Sequence, residues 1–173
     1  MRRSVLLLIV MLVFAPAAEA WTWPLGGAVL QPFAFDPAHP YAAGQHRVVD
    51  IAGELGEIVH APATGVVSFA GSVTESGRVV TIETADGWSV TLTRLGSITV
   101  KKGATVAEGD GVGTIGPPAE PGQSEPYLQL GVRATGDEEG YVDPVGLLPP
   151  RVAADVVSRL TGMSRNALYR GSL

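Results

Sequence analysis

Residues 46–53, His46-Arg47-Val48-Val49-Asp50-Ile51-Ala52-Gly53, put an imidazole and a carboxylate four positions apart at the head of an apolar run. Both groups ligate zinc, and a short spacing between two ligands is common in metal sites. On a straight strand, residues four apart point the same way but stand about 13 Å from each other. That is too far for two groups that each approach one ion to about 2 Å. The run from Arg47 to Ala52 has strand character, so His46 joins Asp50 only if the chain bends at the histidine or just before it. Gly44 is placed to allow such a bend. The residues alone leave two readings open, a metal-ligating pair and a hydrogen-bonded structural pair.

On either side, 22 glycines and 13 prolines punctuate the chain, which suits short strands joined by tight turns. Residues 58–73, IVHAPATGVVSFAGSV, carry β-branched clusters on both sides of Gly65. Residues 77–95, GRVVTIETADGWSVTLTRL, read as a hairpin whose turn holds Asp86-Gly87. In PYLQLGVR, residues 126–133, Tyr127, Gln129 and Gly131 alternate with Leu128, Leu130 and Val132. One face of that strand is therefore core, and the other is available for chemistry. Between hairpin and strand, the glycine-spaced Val100, Val106, Val112 and Ile115 predict a compact β-hairpin crossing. Lys101 and Lys102 precede its glycine turn instead of sitting at a tip, which argues against a lipoyl or biotinyl carrier.

The two ends differ from this β-rich middle. Arg2 and Arg3, the apolar run Ser4–Phe14 and the Ala18-Glu19-Ala20 signal read as a signal peptide over residues 1–20. The run is shorter than the roughly 20 residues that cross a bilayer; an uncleaved anchor is the alternative. With no cysteine in the chain, a lipid anchor on cysteine, a disulfide framework and thiolate zinc sites all drop out. The protein is expected to be exported and held by its core alone. Net charge is −5, and loss of Arg2, Arg3 and Glu19 would make it −6, which argues against nucleic acid as a partner. Residues 149–173 form a separate segment after Pro149-Pro150, with Val152, Val156, Val157 and Leu160 at helical spacing and a Gly-Met-Ser break. That layout is helix-turn-helix-like, but on an acidic exported protein a helical tail is the better reading.

The order of these motifs resembles the M23 (LytM-type, lysostaphin-like) family of peptidoglycan-cleaving zinc endopeptidases. WTWPLGGAVLQPF (21–33) is similar to the family's W-P opening, HRVVDIAG to its H-x-x-x-D box, and GEIVHAPATGVVSFAG (56–71) to its strand pair. Residues 90–116 are similar to the run that begins Y-x-H-L, PYLQLGVR falls where the family carries H-x-H, and YVDPVGLL (141–148) resembles the closing segment. The resemblance spans residues 21–148 and implies an all-β, mainly antiparallel fold with a groove for a peptide, followed by the helical tail at 149–173.

In the family, zinc is held by the H-x-x-x-D pair and the second histidine of H-x-H, which correspond here to His46, Asp50 and Gln129. The first histidine of H-x-H and the histidine of Y-x-H, which act on the water and the scissile amide, correspond to Tyr127 and Arg94; the family tyrosine corresponds to Leu92. The resemblance therefore implies a residual, incomplete metal pair at His46 and Asp50 and degenerate positions at Arg94, Tyr127 and Gln129. A catalytic zinc takes three protein ligands and a water, and a neutral amide oxygen is a poor match for zinc beside imidazole and carboxylate. An arginine cannot act as a base, and as a fixed cation it opposes a divalent ion. His39 and Glu125 are candidate rescuers while His60 reads as a surface side chain, and an ion pair between Arg94 and Asp50, ringed by Gln129 and Tyr127, is the alternative to a metal. The expectation is an exported, degenerate M23 domain with no cofactor, whose partners are peptidoglycan peptides or a cell-wall hydrolase that it regulates. The competing expectation is an active zinc metalloendopeptidase with a non-standard ligand set.

Overall fold

The structure, a computed structural model, describes residues 21–118 and 125–151. Ten strands run through these residues: β1 Val29–Gln31, β2 Val49–Ala52, β3 Ile58–His60, β4 Gly65–Val73, β5 Gly77–Glu83, β6 Trp88–Ile98, β7 Thr105–Val106, β8 Gly111–Ile115, β9 Tyr127–Ala134 and β10 Tyr141–Val142. All pair antiparallel in one sheet. Its main path runs β1-β2-β9-β6-β5-β4-β7, with β10 on β9, and β8 bridging β6 to β3. The all-β expectation holds. The signal segment 1–20 and the helical spacing after residue 151 lie outside the described residues.

The period-2 pattern sets the core. Val49 and Ile51 of β2, Leu128, Leu130 and Val132 of β9, Val90 and Leu92 of β6, and Val80 and Ile82 of β5 are all 0–1% exposed. β3 and β8 add Val59, Val112 and Ile115 to the same cluster. Each such side chain contributes about 1.5–3 kcal/mol when fully buried, so the strands stay in register because a slip of one residue would turn this whole set to solvent. Leu92, at the position of the family tyrosine, belongs to this core.

The hairpin between β5 and β6 turns at Asp86-Gly87, with Gly87 at φ 90°, in the left-handed region that glycine enters without penalty. β7 and β8, expected as one hairpin, pair with different strands, β7 with β4 and β8 with β3 and β6. The segment thus crosses between two parts of the sheet. A 3-10 turn, Pro144–Gly146, is capped by Asp143, whose carboxylate accepts the Val145 N–H at 2.9 Å. Beyond it the chain returns to the segment that precedes β1. The Trp23 indole donates to the Pro149 carbonyl at 2.8 Å. Arg151 lies 3.5 Å over the Trp23 ring and donates to the carbonyls of Leu25 and Gly27.

Candidate functional site

β2, β9 and β6 are neighbours, and their register aligns Asp50 with Gln129 and Gln129 with Thr93. Residues directly opposite on antiparallel strands have Cβ atoms about 5 Å apart, so these three polar side chains form one row on the face away from the core. The Gln129 amide nitrogen donates to Asp50 Oδ1 at 3.2 Å, and its oxygen accepts the Thr93 hydroxyl at 3.1 Å. His46 stands outside β2, bridged through its backbone to Ala34. The bend between His46 and Asp50 falls at Val48, and Gly44, at φ 86°, turns the chain just before. His46 Nε2 thereby comes within 3.4 Å of Asp50 Oδ1, with side chains only 14% and 8% exposed. His46 Nδ1 lies 3.1 Å from the Pro32 carbonyl. A carbonyl can only accept, so Nδ1 is the nitrogen that presents an N–H to Pro32, and Nε2 is the nitrogen turned to the carboxylate.

Arg94 reaches this face by a different device. Between matched pairs, β6 advances three residues, Leu92 to Leu95, while β5 advances two, Val80 to Arg78. The extra residue makes a bulge, which re-aims a side chain, and Arg94 takes the strained left-handed conformation at φ 66°. The β4–β5 turn holds it there. Its backbone N–H donates to the Ser76 carbonyl at 3.2 Å, and its Nη1 donates to the Glu75 carbonyl at 2.9 Å. The guanidinium also sits 5.8 Å from the centre of the Tyr127 ring, within cation–π range. Tyr127 is itself 3% exposed. The five positions picked out by the resemblance therefore converge on one patch of the sheet.

Residues 44–144, more than half of the chain, match the model described as Peptidase family M23. The chain belongs to peptidase family M23. It is 30% identical over 142 residues to the cell division protein DipM of Caulobacter vibrioides, covering 79% of this chain and 22% of that protein. It is 28% identical over 134 residues to the murein hydrolase activator NlpD of Salmonella dublin, covering 77% and 32%. The chain thus spans about a third or less of the length of these two curated relatives. The solution structure of lysostaphin superposes with a TM-score of 0.64 at 18% identity, covering 78% of this chain and 57% of that one.

The fit of this M23 site to zinc can be tested on its donors. Gln129 has one atom able to ligate, the amide oxygen, and that oxygen is turned to Thr93 while the nitrogen faces Asp50. This leaves one imidazole nitrogen and one carboxylate, and among the described residues no group of three or more His, Cys, Asp or Glu could hold a metal. The donor set does not fit a catalytic zinc, which takes three protein ligands. The two candidate rescuers and His60 stay apart from the pair. His39 closes a local turn with Asp36, 2.9 Å away, and the Asp36 carboxyl is held below its usual range first by that side-chain hydrogen bond and then by the Ala38 N–H. His60 Nδ1 lies 2.7 Å from the Gly109 carbonyl. Glu125 is exposed ahead of β9.

Two features of the M23 domain have no counterpart in the sequence reading. The first is a trough of about 320 Å³ beside the site, lined by Thr81, Ser89, Thr91, Arg133 and Tyr141 together with Val48, Gly131 and Val132. The alternation Ser89, Thr91, Thr93 against Val90 and Leu92 was the available signal for it. The second is a latch. Arg47 lies against the rings of Phe35 and Tyr141, at 4.8 and 5.2 Å, which themselves pack edge to face at 5.6 Å, and it pairs with Glu139 at 3.2 Å. It joins the loop that carries His46 to the segment that leads into β10.

Proposed function

We propose that this M23 domain works outside the cytoplasm, at the cell wall, by binding and not by cutting. It engages peptidoglycan peptides or regulates a wall hydrolase, and the segment 1–20 directs its export. The observation that carries this reading is the Gln129 amide, which ties Asp50 to Thr93 where the family's third zinc ligand stands. Arg94 occupies the position of a family histidine and offers no base at ordinary pH. In this reading the negative charge of Asp50 is balanced by the Arg94 cation, without a metal. The name of one relative, an activator of murein hydrolases, and that of another, a cell division protein, support a role beside the wall machinery.

The test combines metal analysis with a wall assay. The mature protein, incubated with zinc and desalted, should retain well under one zinc per chain and release no soluble fragments from dye-labelled wall. It should sediment with purified wall or stimulate a purified wall hydrolase. Stoichiometric zinc together with fragment release would overturn the reading in favour of an active metalloendopeptidase with an unusual ligand set.

A further inference from the structure

The trough beside the site lies between two rows that the sheet ladder builds. Tyr141 pairs with Arg133 and Arg133 with Ser89; in the next row Gly131 pairs with Thr91 and Thr91 with Thr81. Their neighbours along the strands, Val132, Val90, Leu92 and Val80, are 0–1% exposed in the core, so alternation turns the two rows to the other face. Gly131 keeps the floor open, since a Cβ there would stand 3.2 Å from the Val48 side chain. The polar groups of the floor are largely unclaimed. Ser89 is 5% exposed, and among the described residues its hydroxyl has no hydrogen-bond partner, which a native fold seldom leaves without a reason. The Thr81 and Thr91 hydroxyls bond only each other, at 3.3 Å.

We propose that this trough binds an uncharged sugar ring of the wall's glycan strand. Charge argues for a neutral ligand, because the row that holds Arg133 and Ser89 continues to the exposed carboxylate of Glu83. One cation and one anion flank the Ser89 hydroxyl and leave no excess for an ion. Backbone pairing argues against a peptide added as a strand. β5, β6 and β9 each have a neighbour on both sides, so recognition falls to side chains. A hydroxyl both donates and accepts, which matches the hydroxyls and acetamido group of an amino sugar. Tyr141 stands at one end, its ring held by Phe35 at 5.6 Å and Arg47 at 5.2 Å. Phe69, paired with Thr81 and 39% exposed, stands at the other. Both rings offer apolar area that the C–H face of a sugar would cover. The volume lies at the lower end of ligand pockets, in keeping with a single ring of a longer strand. The inference rests on the wall-binding reading above and names the part of the wall that the trough grips.

The test is calorimetric titration of the full mature chain with the tetramer of β-1,4-linked N-acetylglucosamine, a glycan without peptide, followed in parallel by amide-proton NMR. The tetramer should bind and shift the amide signals of Thr81, Thr91 and Gly131 more than those of Asp50. Ser89→Ala and Thr91→Val should each weaken it about fivefold, the worth of one hydrogen bond. The unfolding midpoint of S89A should stay level or rise, because the hydroxyl it loses has no partner in the free protein. Gly131→Val fills the floor and should abolish binding; if that variant does not fold, the two hydroxyl variants carry the test. Rising salt should change the affinity by less than twofold, as a neutral ligand requires. No binding of the tetramer, unchanged binding in both hydroxyl variants, or displacement of the tetramer by an equal concentration of a synthetic stem peptide would each overturn the assignment. A protein that fails in one of these ways yet still sediments with wall, or stimulates a hydrolase, leaves the broader reading intact.

Discussion

The two faces of the β2–β9–β6 sheet segment are made from the same strands, residue by residue in alternation, yet they hold together by different means. On the core face, Val49, Ile51, Leu128, Leu130 and Leu92 interlock with no polar atom to satisfy. On the site face, Asp50, Gln129 and Thr93 form a hydrogen-bonded row, with His46 at one end and the bulged Arg94 beside it. The core face keeps the M23 fold at 18% identity to lysostaphin. On the proposed reading, the site face keeps His46 and Asp50 of the family's ligand set and holds Gln129 in place of the third ligand. On that reading, the difference teaches that the fold does not depend on a metal site. Apolar packing fixes the register from one side, and the chemistry on the other side is free to change.

Five substitutions would break or sharpen that contrast, taken from the largest expected effect down. Leu130→Ala removes a fully buried side chain and should cost about 2–5 kcal/mol in urea unfolding. A loss below 1 kcal/mol would mean that the core face is not what holds the sheet. Gln129→His places an imidazole opposite Asp50 and should tighten zinc binding by roughly 100-fold in calorimetry, completing a three-ligand set. A wild-type chain that already binds zinc as tightly would show that the site face never lost its metal. Thr93→Val deletes the hydroxyl that holds the Gln129 oxygen and should lower stability by about 1 kcal/mol, the typical net worth of one hydrogen bond. If stability is unchanged, the polar row is not a structural unit. Glu75→Gly relieves a left-handed residue at φ 74° on an exposed turn and should raise stability by about 0.5–1 kcal/mol. Arg94→Gly relieves the same kind of strain but removes the guanidinium contacts, so its gain should be smaller. Equal gains would mean that those contacts contribute nothing to the fold.

Much of this was legible in the order of residues. Alternation in PYLQLGVR separated core from site, the Asp86-Gly87 turn marked the central hairpin, and the H-x-x-x-D spacing marked the His46 and Asp50 side chains that meet at 3.4 Å. The missing pieces depend on contacts between residues far apart in the chain. Nothing local predicts that the Pro32 carbonyl fixes the His46 ring, because the two are joined only by the folding of the intervening loop. Nor does an arginine announce a bulge. A glycine at position 94 would have hinted at one, whereas Arg94 adopts its left-handed backbone because Ser76 and Glu75 hold it there. The segment from β7 to β8 is a crossing without a hairpin for a related reason. Its glycine spacing suits a tight turn, but the ladder partners lie on β4, β3 and β6.

The clasp of Trp23 with Pro149 and Arg151 has a mechanical consequence. Entry and exit points of the domain are stapled side by side, so the sheet behaves as a cassette hung from a single knot. Tension drawn between residues 21 and 151 would load an indole–guanidinium stack and a few carbonyl bonds before it reached any strand ladder. Attachments on either flank could therefore be lengthened, exchanged or pulled while the polar row across β2, β9 and β6 kept its shape.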